Sequence, residues 1–333
     1  MVKFLIVRFS SIGDIVLTTP VIRHLKQQVE GASIHYLTKS AFSAILEANP
    51  YVDQIHAFNG GDLNKLIRTL KTLEFDYIID LHHNARSEHV KMKLKRMDFS
   101  VNKLNFKKWL YVNFKWDRMP DLHMVDRNLD TIRHFIPERD VKGLDYFIPP
   151  EEEVDLSSLP ALYREGYIAL AIGAQHGTKK LPPEQLADLC GRLEQPVVIL
   201  GGEDDVAIAD QLLKALPEKK MLSQCGRLNI HQSASLVRQS RLLITHDTGL
   251  MHIGAAFRKK IITIWGNTVP KFGMYPYRPD PASVEFEVEG LRCRPCSKIG
   301  FQECPKKHFR CMREQDIDGI AQAAGQLFMA TGQ

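Results

Sequence analysis

Three short segments place reactive or anion-binding side chains immediately after apolar runs. In residues 9–20 (FSSIGDIVLTTP), Ser10, Ser11 and Gly13 make a tight polar turn and Asp14 falls at the start of the helix that follows. A carboxylate there can act as a general base toward an attacking hydroxyl, or it can cap the helix. In residues 171–185 (AIGAQHGTKKLPPEQ), Gly173, Gly177 and Thr178 let backbone amides approach a ligand, and Lys179 and Lys180 bring positive charge just before a proline-started helix. That is the composition of a phosphate cradle, or of a solvated loop. In residues 241–257 (RLLITHDTGLMHIGAAF), a strand runs into His246, Asp247, Thr248 and Gly249, then into a helix carrying His252. Exposed amides at that helix start suit an anion, and Asp247 suits sugar hydroxyls; the same residues also make an ordinary N-cap. One glycine in the first segment excludes a GxGxxG dinucleotide fingerprint, and the second lacks Walker spacing.

Two further clusters stand out. Four of the six cysteines, Cys293, Cys296, Cys304 and Cys311, lie within 19 residues, with His308 among them. The thiols could hold a structural zinc or remain free and buried, the spacing differing from a double CxxC. The net charge of +5 is unevenly spread, because Arg86, Lys91, Lys93, Lys95, Arg96, Lys103, Lys107, Lys108, Lys115 and Arg118 meet only Glu88, Asp98 and Asp117 in their stretch. Such a tract attracts phosphate groups, acidic sugars or a membrane surface, or is simply a solvated face. It has no nucleic-acid-binding motif or stacking array, so no nucleic-acid partner is expected.

The elements that must position these groups alternate along the chain. Strands are expected at 4–9, 34–37, 54–58, 77–81 and 98–102, with helices at 21–29, 40–50 and 63–73 between them. Residues 148–160, with three prolines and an acidic run, read as a linker. The alternation resumes with strands at 167–173, 196–202, 241–247 and 260–266, helices after Pro183 and over 205–215, and a last helix at 317–330. This predicts an α/β protein of two parallel-sheet domains, with ligands beyond the carboxyl ends of the strands. With 333 residues and 44% apolar content, two cores are expected. No apolar run approaches the roughly 18 residues of a membrane span. The first residues lack the pattern of a signal peptide, so a cytoplasmic protein is expected.

The segments IVRFSSIGDIVLTTP, GAQHGTKKLPPE and THDTGLMHIGAA, in this order, resemble glycosyltransferase family 9, the lipopolysaccharide heptosyltransferases. WGNTVP at 265–270, the cysteine-rich 293–312 and FDYIIDLHHNARS at 75–87 are similar to that family as well. The resemblance implies a GT-B fold of two Rossmann-like domains facing a central cleft. It places an acceptor-binding domain at 1–150, a nucleotide-sugar-binding domain at 151–312 and a C-terminal helix at 313–333. It implies an inverting, metal-independent transfer of heptose from ADP-heptose to the lipopolysaccharide inner core, with another nucleotide sugar, or binding without catalysis, as alternatives. By the same resemblance Asp14 is the catalytic base. Thr178, Lys179 (with Lys180 as fallback), Asp247, Thr248, Gly249 and His252 bind the donor. Ser10, Ser11, Gly13, Arg86 and Arg127 face the anionic acceptor. Peripheral contact with the inner membrane face follows from a lipid-anchored acceptor. No cofactor is required for catalysis, and zinc at the cysteines would be structural.

Overall fold

The computed structural model describes residues 1–330; the last three residues of the expected terminal segment, 331–333, lie outside the described residues. Two compact units are formed, one from Met1–Leu104 and Leu122–Phe147, the other from Asn105–Asp121 and Ile148–Gln333. The boundary at 147/148 falls near the expected position 150, but residues 105–121 pack with the second unit rather than the first.

The first unit is built on five strands: β1 (Val2–Val7), β2 (Ala32–Lys39), β3 (Gln54–Phe58), β4 (Tyr77–Asp80) and β5 (Met97–Ser100). They are all parallel in the order β3-β2-β1-β4-β5. β1 is central, and its Phe4 to Val7 are fully buried, as a continuous apolar run covered on both faces should be. The helix Thr19–Gln28 starts with a proline in its first turn and buries Val21, Ile22 and Leu25. Arg23 of the same helix is buried and binds Asp140, Asp145 and the Gly143 carbonyl, which ties the returning 122–147 segment to it.

The second unit has six parallel strands: β6 (Ile168–Ala171), β7 (Val197–Leu200), β8 (Met221–Ser223), β9 (Leu242–His246), β10 (Ile261–Trp265) and β11 (Val284–Glu287). Their order is β11-β10-β9-β6-β7-β8. One core, including Leu170, Leu189, Ile199, Ile244, Ile264, Met312 and Ile320, runs under the sheet and the terminal helix Ile317–Met329. The proline-rich stretch at 148–160 is not a free tether. It forms two 3₁₀ turns, and Glu153, Val154 and Glu152 bond Ser235, Gln239 and Asn229 of the neighbouring helix and its cap. Among the described residues no helix is long and apolar enough to cross a membrane.

Candidate functional site

Both sheets present their motifs where the strand order places the C-terminal edge of a central strand. In the first unit, the chain leaving β1 turns through Ser10 and Ser11 into the helix Ile12–Val16. Asp14, the third residue of that helix, is held there by its N-cap Ser11: its Oδ2 accepts from the Ser11 amide (3.1 Å) and hydroxyl (2.9 Å). Its other oxygen meets Arg8 Nη2 at 2.6 Å. Arg8 is itself fixed, donating to the carbonyls of Ser10 (2.7 Å) and of Leu81 (2.5 Å), just past β4. Burial pushes the Asp14 carboxyl up, but Arg8 and the two Ser11 donors outweigh it and bring the pKa down to about 2. The group both binds the N-cap residue, Ser11, and is an ionised carboxylate, its side chain 23% exposed.

Around this turn the unit gathers further cations. The Arg86 guanidinium lies 5.3 Å from the Phe9 ring centre and 5.6 Å from that of Phe58, stacked beside the residue that precedes Ser10. Asn84 positions it by capping the helix Ala85–Leu94. His82 packs edge-on to Phe9, and burial together with Arg8 and Lys103 drives its pKa to about 3, leaving it neutral. Arg127 sits on the helix Met124–Asp130, which is linked to the Asp14 helix by a bond from Asn128 to the Leu17 carbonyl (3.1 Å). The Arg127 side chain is buried, and that burial lowers its pKa to about 10 against the pull of Asp126. Thus Ser10, Ser11, Gly13, Asp14 and Arg86 cluster at one sheet edge, with Arg127 one helix away.

The basic tract does not form a single surface. Lys91 is buried and held by Glu88 (2.8 Å), Asp98 (3.0 Å) and Asp80 (3.5 Å). Lys115, in the other unit, donates to the carbonyls of Val112 (2.7 Å), Cys293 (3.3 Å) and Pro295 (2.7 Å).

In the second unit, β9 delivers Asp247 and Thr248 to the start of the helix Gly249–Ala256. Thr248 takes the N-cap position with extended dihedrals and makes no side-chain cap bond, so the first helical amides keep no partner from it. Lys179, from the loop after β6, pairs with Asp247 Oδ2 at 2.6 Å, and Thr268 Oγ1 donates to the same oxygen at 3.0 Å. Lys180 points elsewhere, to Asp205 at 2.6 Å, so of the two adjacent lysines only Lys179 reaches the Asp247 helix mouth. Thr178 is buried, and its hydroxyl accepts from the Phe301 amide (2.9 Å) and lies 3.0 Å from both Asn267 Oδ1 and the Phe301 carbonyl. Its observed bonds hold the loop against residues 267 and 301. A Cβ on Gly177 would lie 2.2 Å from the Gln302 carbonyl oxygen, so only glycine fits there. His252 is buried one turn into the helix.

Three positioning residues were not singled out from sequence. His246 accepts from the Leu181 amide at 3.0 Å; burial, reinforced by Lys180, lowers its pKa to about 4, so it is a neutral imidazole holding the lysine loop. Arg294 donates to the carbonyls of Gly266 (2.6 Å) and Thr268 (2.7 Å), and Thr268 is the residue that binds Asp247. Arg8 is the third. The only sequence signal for them was their place inside or beside the family-like segments.

Cys293, Cys296, Cys304, Cys311 and His308 all line one small cavity, with Cys293 Sγ 3.7 Å from His308 Nε2. Burial raises the Cys296 and Cys311 thiols, the latter to about 12. Among the described residues, no group of three or more His, Cys, Asp or Glu is placed to hold a metal ion. The sequence spacing therefore predicts the gathering of the thiols but not a closed metal geometry.

Against known proteins, the family model for glycosyltransferase family 9 (heptosyltransferase) matches residues 63–303. The chain is 22% identical to lipopolysaccharide heptosyltransferase 1 of Campylobacter coli over 293 residues, 80% of this chain and 84% of that protein. Among solved structures it is similar to a family 9 glycosyltransferase from Veillonella parvula (TM-score 0.78, 20% identity, 99% of this chain and 98% of that one). It is also similar to the E. coli ADP-heptose lipopolysaccharide heptosyltransferase II (TM-score 0.74, 18% identity, 98% of each chain). The likeness to these structures establishes a GT-B fold of two Rossmann-like units.

Proposed function

The chain belongs to glycosyltransferase family 9, and from that premise we propose that it transfers heptose from ADP-heptose to an anionic acceptor of the lipopolysaccharide inner core. The observation that carries the reading is the Lys179–Asp247–Thr248 cluster at the mouth of the helix Gly249–Ala256. A lysine and unpartnered helix amides together suit a diphosphate, and Asp247 and His252 suit the rest of the nucleotide sugar. Gly249 allows the close backbone approach.

In the transfer, the acceptor oxygen attacks the anomeric carbon as the bond from that carbon to the diphosphate oxygen breaks, and ADP departs. A single displacement inverts the anomeric centre and needs one base rather than a carboxylate pair. Asp14 takes the acceptor proton. With a pKa of about 2 it is a weak base in the resting protein, so its share of the proton grows only as the C–O bond forms and the hydroxyl acidifies. Lys179 and the amides near Thr248 and Gly249 stabilise the charge that develops on the leaving diphosphate, a role that asks for no metal. Ser10, Ser11 and Gly13 shape the turn facing the acceptor, and Arg86 and Arg127 suit its acidic sugars or phosphates. Transfer to a lipid-anchored acceptor would bring the protein to the cytoplasmic face of the inner membrane.

Thermal stability with ADP, UDP, GDP and CDP tests the donor. A ligand at 100 times its dissociation constant adds about 2.7 kcal/mol. Stabilisation by ADP alone is expected; a shift with a different nucleotide replaces the heptose donor, and no shift with any rejects the transferase. For the cysteines, no three of which are placed together for a metal ion, we propose a structural role as thiols packed with His308 around one cavity. Metal-free purified protein is the expected result; about one zinc per chain, lost in Cys293→Ser, refutes it.

A further inference from the structure

The helix Asn105–Phe114 and the residues after it carry an apolar surface that the transfer reaction does not use. No residue of this helix is buried. Phe106 is 70% exposed, Trp109 46%, Phe114 53% and Trp116 63%. These four rings form one continuous ladder: Phe106 stacks on Trp109 (6.1 Å between centres), Trp109 meets Phe114 edge-on (5.3 Å), and Phe114 lies 5.9 Å from Trp116. Together they expose roughly 400 Å² of aromatic surface in one place, the size of patch that marks a contact site.

The opposite side of the helix is fastened to its own unit. Tyr111 packs edge-on to Phe272 (6.0 Å), Lys108 lies 5.5 Å from the same ring, and Lys115 reaches the carbonyls of Cys293 and Pro295. Lys271 pairs with Asp117. The ladder is therefore held outward by a fixed base. Of the basic side chains of this segment, Lys107 and Arg118 are exposed and are not used in that fastening, and the one acid, Asp117, is already neutralised by Lys271.

We propose that this aromatic and basic face docks the protein on an anionic phospholipid bilayer, with Trp109, Phe106, Phe114 and Trp116 in the headgroup region. The inference deepens the reading of a lipid-anchored acceptor and rests on it for the choice of a bilayer. Tryptophan is the side chain that best tolerates the boundary between water and lipid, and flanking lysine and arginine supply attraction to anionic headgroups. A second copy is the poorer occupant, because a twofold contact would set one basic patch against its own image.

The test uses the full chain with vesicles of pure phosphatidylcholine and of phosphatidylcholine with 30 mol% phosphatidylglycerol, free of donor and acceptor. The protein is expected to sediment with the anionic vesicles at least tenfold better than with the neutral ones, and to release in high salt. Of the three tryptophans, Trp109 and Trp116 are exposed and Trp265 is fully buried. A blue shift and quenching by brominated lipid therefore report on the ladder. The variant Phe106→Ser/Trp109→Ser/Phe114→Ser/Trp116→Ser is expected to lose at least tenfold in vesicle binding, while its melting temperature and its transfer to an acceptor stripped of acyl chains stay unchanged. No binding of the wild type to anionic vesicles, equal binding by the folded variant, a dimer that only the wild type forms, or a single-stranded oligonucleotide bound more tightly than vesicles would each overturn the proposal. Absence of transfer to any acceptor would instead count against the transferase reading and leave the vesicle result standing.

Discussion

Replacing Asp14 by Asn changes almost nothing in shape and removes the one charge that Arg8 and Ser11 surround. The folded carboxyl sits at about 2 against an ordinary 3.8, a difference worth about 2 kcal/mol. Its sign is fixed. A depressed carboxylate contributes stability that is fully present above pH 3.8 and is lost as pH falls toward 2. Asp14→Asn should therefore lower the unfolding free energy by about 2 kcal/mol at pH 7. The gap between the two proteins should stay constant down to about pH 4.5 and close by about pH 2. The same substitution removes the proposed base, so kcat should fall roughly 100- to 10,000-fold. The contacts of Asp14 are with Arg8 and Ser11 of the first unit, so ADP affinity should change less than twofold. Denaturant titrations from pH 2 to 8, steady-state transfer and calorimetry with ADP read the three quantities separately. A variant that keeps kcat within threefold refutes Asp14 as base; one that loses ADP binding in parallel refutes the division of roles.

Other substitutions probe the second unit. Lys179→Ala should weaken ADP at least tenfold, while Lys180→Ala, which breaks only the Asp205 pair, should leave ADP affinity within about twofold; titration calorimetry distinguishes them. Gly177→Ala forces a Cβ to 2.2 Å from the Gln302 carbonyl, and a melting-temperature drop corresponding to about 1–3 kcal/mol is expected. His246 must protonate on unfolding below its ordinary 6.5 but resists to about 4 in the fold. It therefore stabilises above pH 6.5 and withdraws up to about 3 kcal/mol as pH falls to 4. His246→Gln should flatten that part of the pH–stability curve.

Much of this arrangement was legible because strong patterns and positions agree. β6 and β7 are unbroken apolar runs, β1, β9 and β10 are interrupted only by Lys3, by Thr245 and His246, and by Thr263, and each expected strand lies within a residue or two of the observed one. Several elements escaped, among them the helices Met124–Asp130 and Ile230–Gln239 and four short or mixed ones. β8 has three residues and β11 alternates two glutamates with apolar neighbours at a sheet edge. The helix Ala85–Leu94 lacks an apolar stripe because its buried Lys91 spends its length reaching Asp80, Glu88 and Asp98. The helix Asn105–Phe114 has no fully buried residue and its Leu110, Tyr111 and Val112 are only half-buried, so burial left no clear periodicity to read. At the candidate site, residue types at strand ends were visible, whereas the choice between adjacent lysines depends on Asp205 and Asp247, contacts 25 and 68 residues away. Arg294 was hidden for the same reason, since its task is to bond carbonyls of residues 266 and 268.

The membership of residues 105–121 in the second unit has a further consequence for how the chain can be made and cut. Neither unit is a single stretch of polypeptide. During synthesis the first waits for residue 147 to close its returning segment, and the second keeps an early piece in hand until residues 271 to 295 emerge to receive Tyr111, Asp117 and Lys115. A fragment beginning at residue 148 would carry the whole six-stranded sheet yet leave Phe272 and the carbonyls at 293 and 295 without their cover. The two halves are better exchanged between relatives as four pieces than as two.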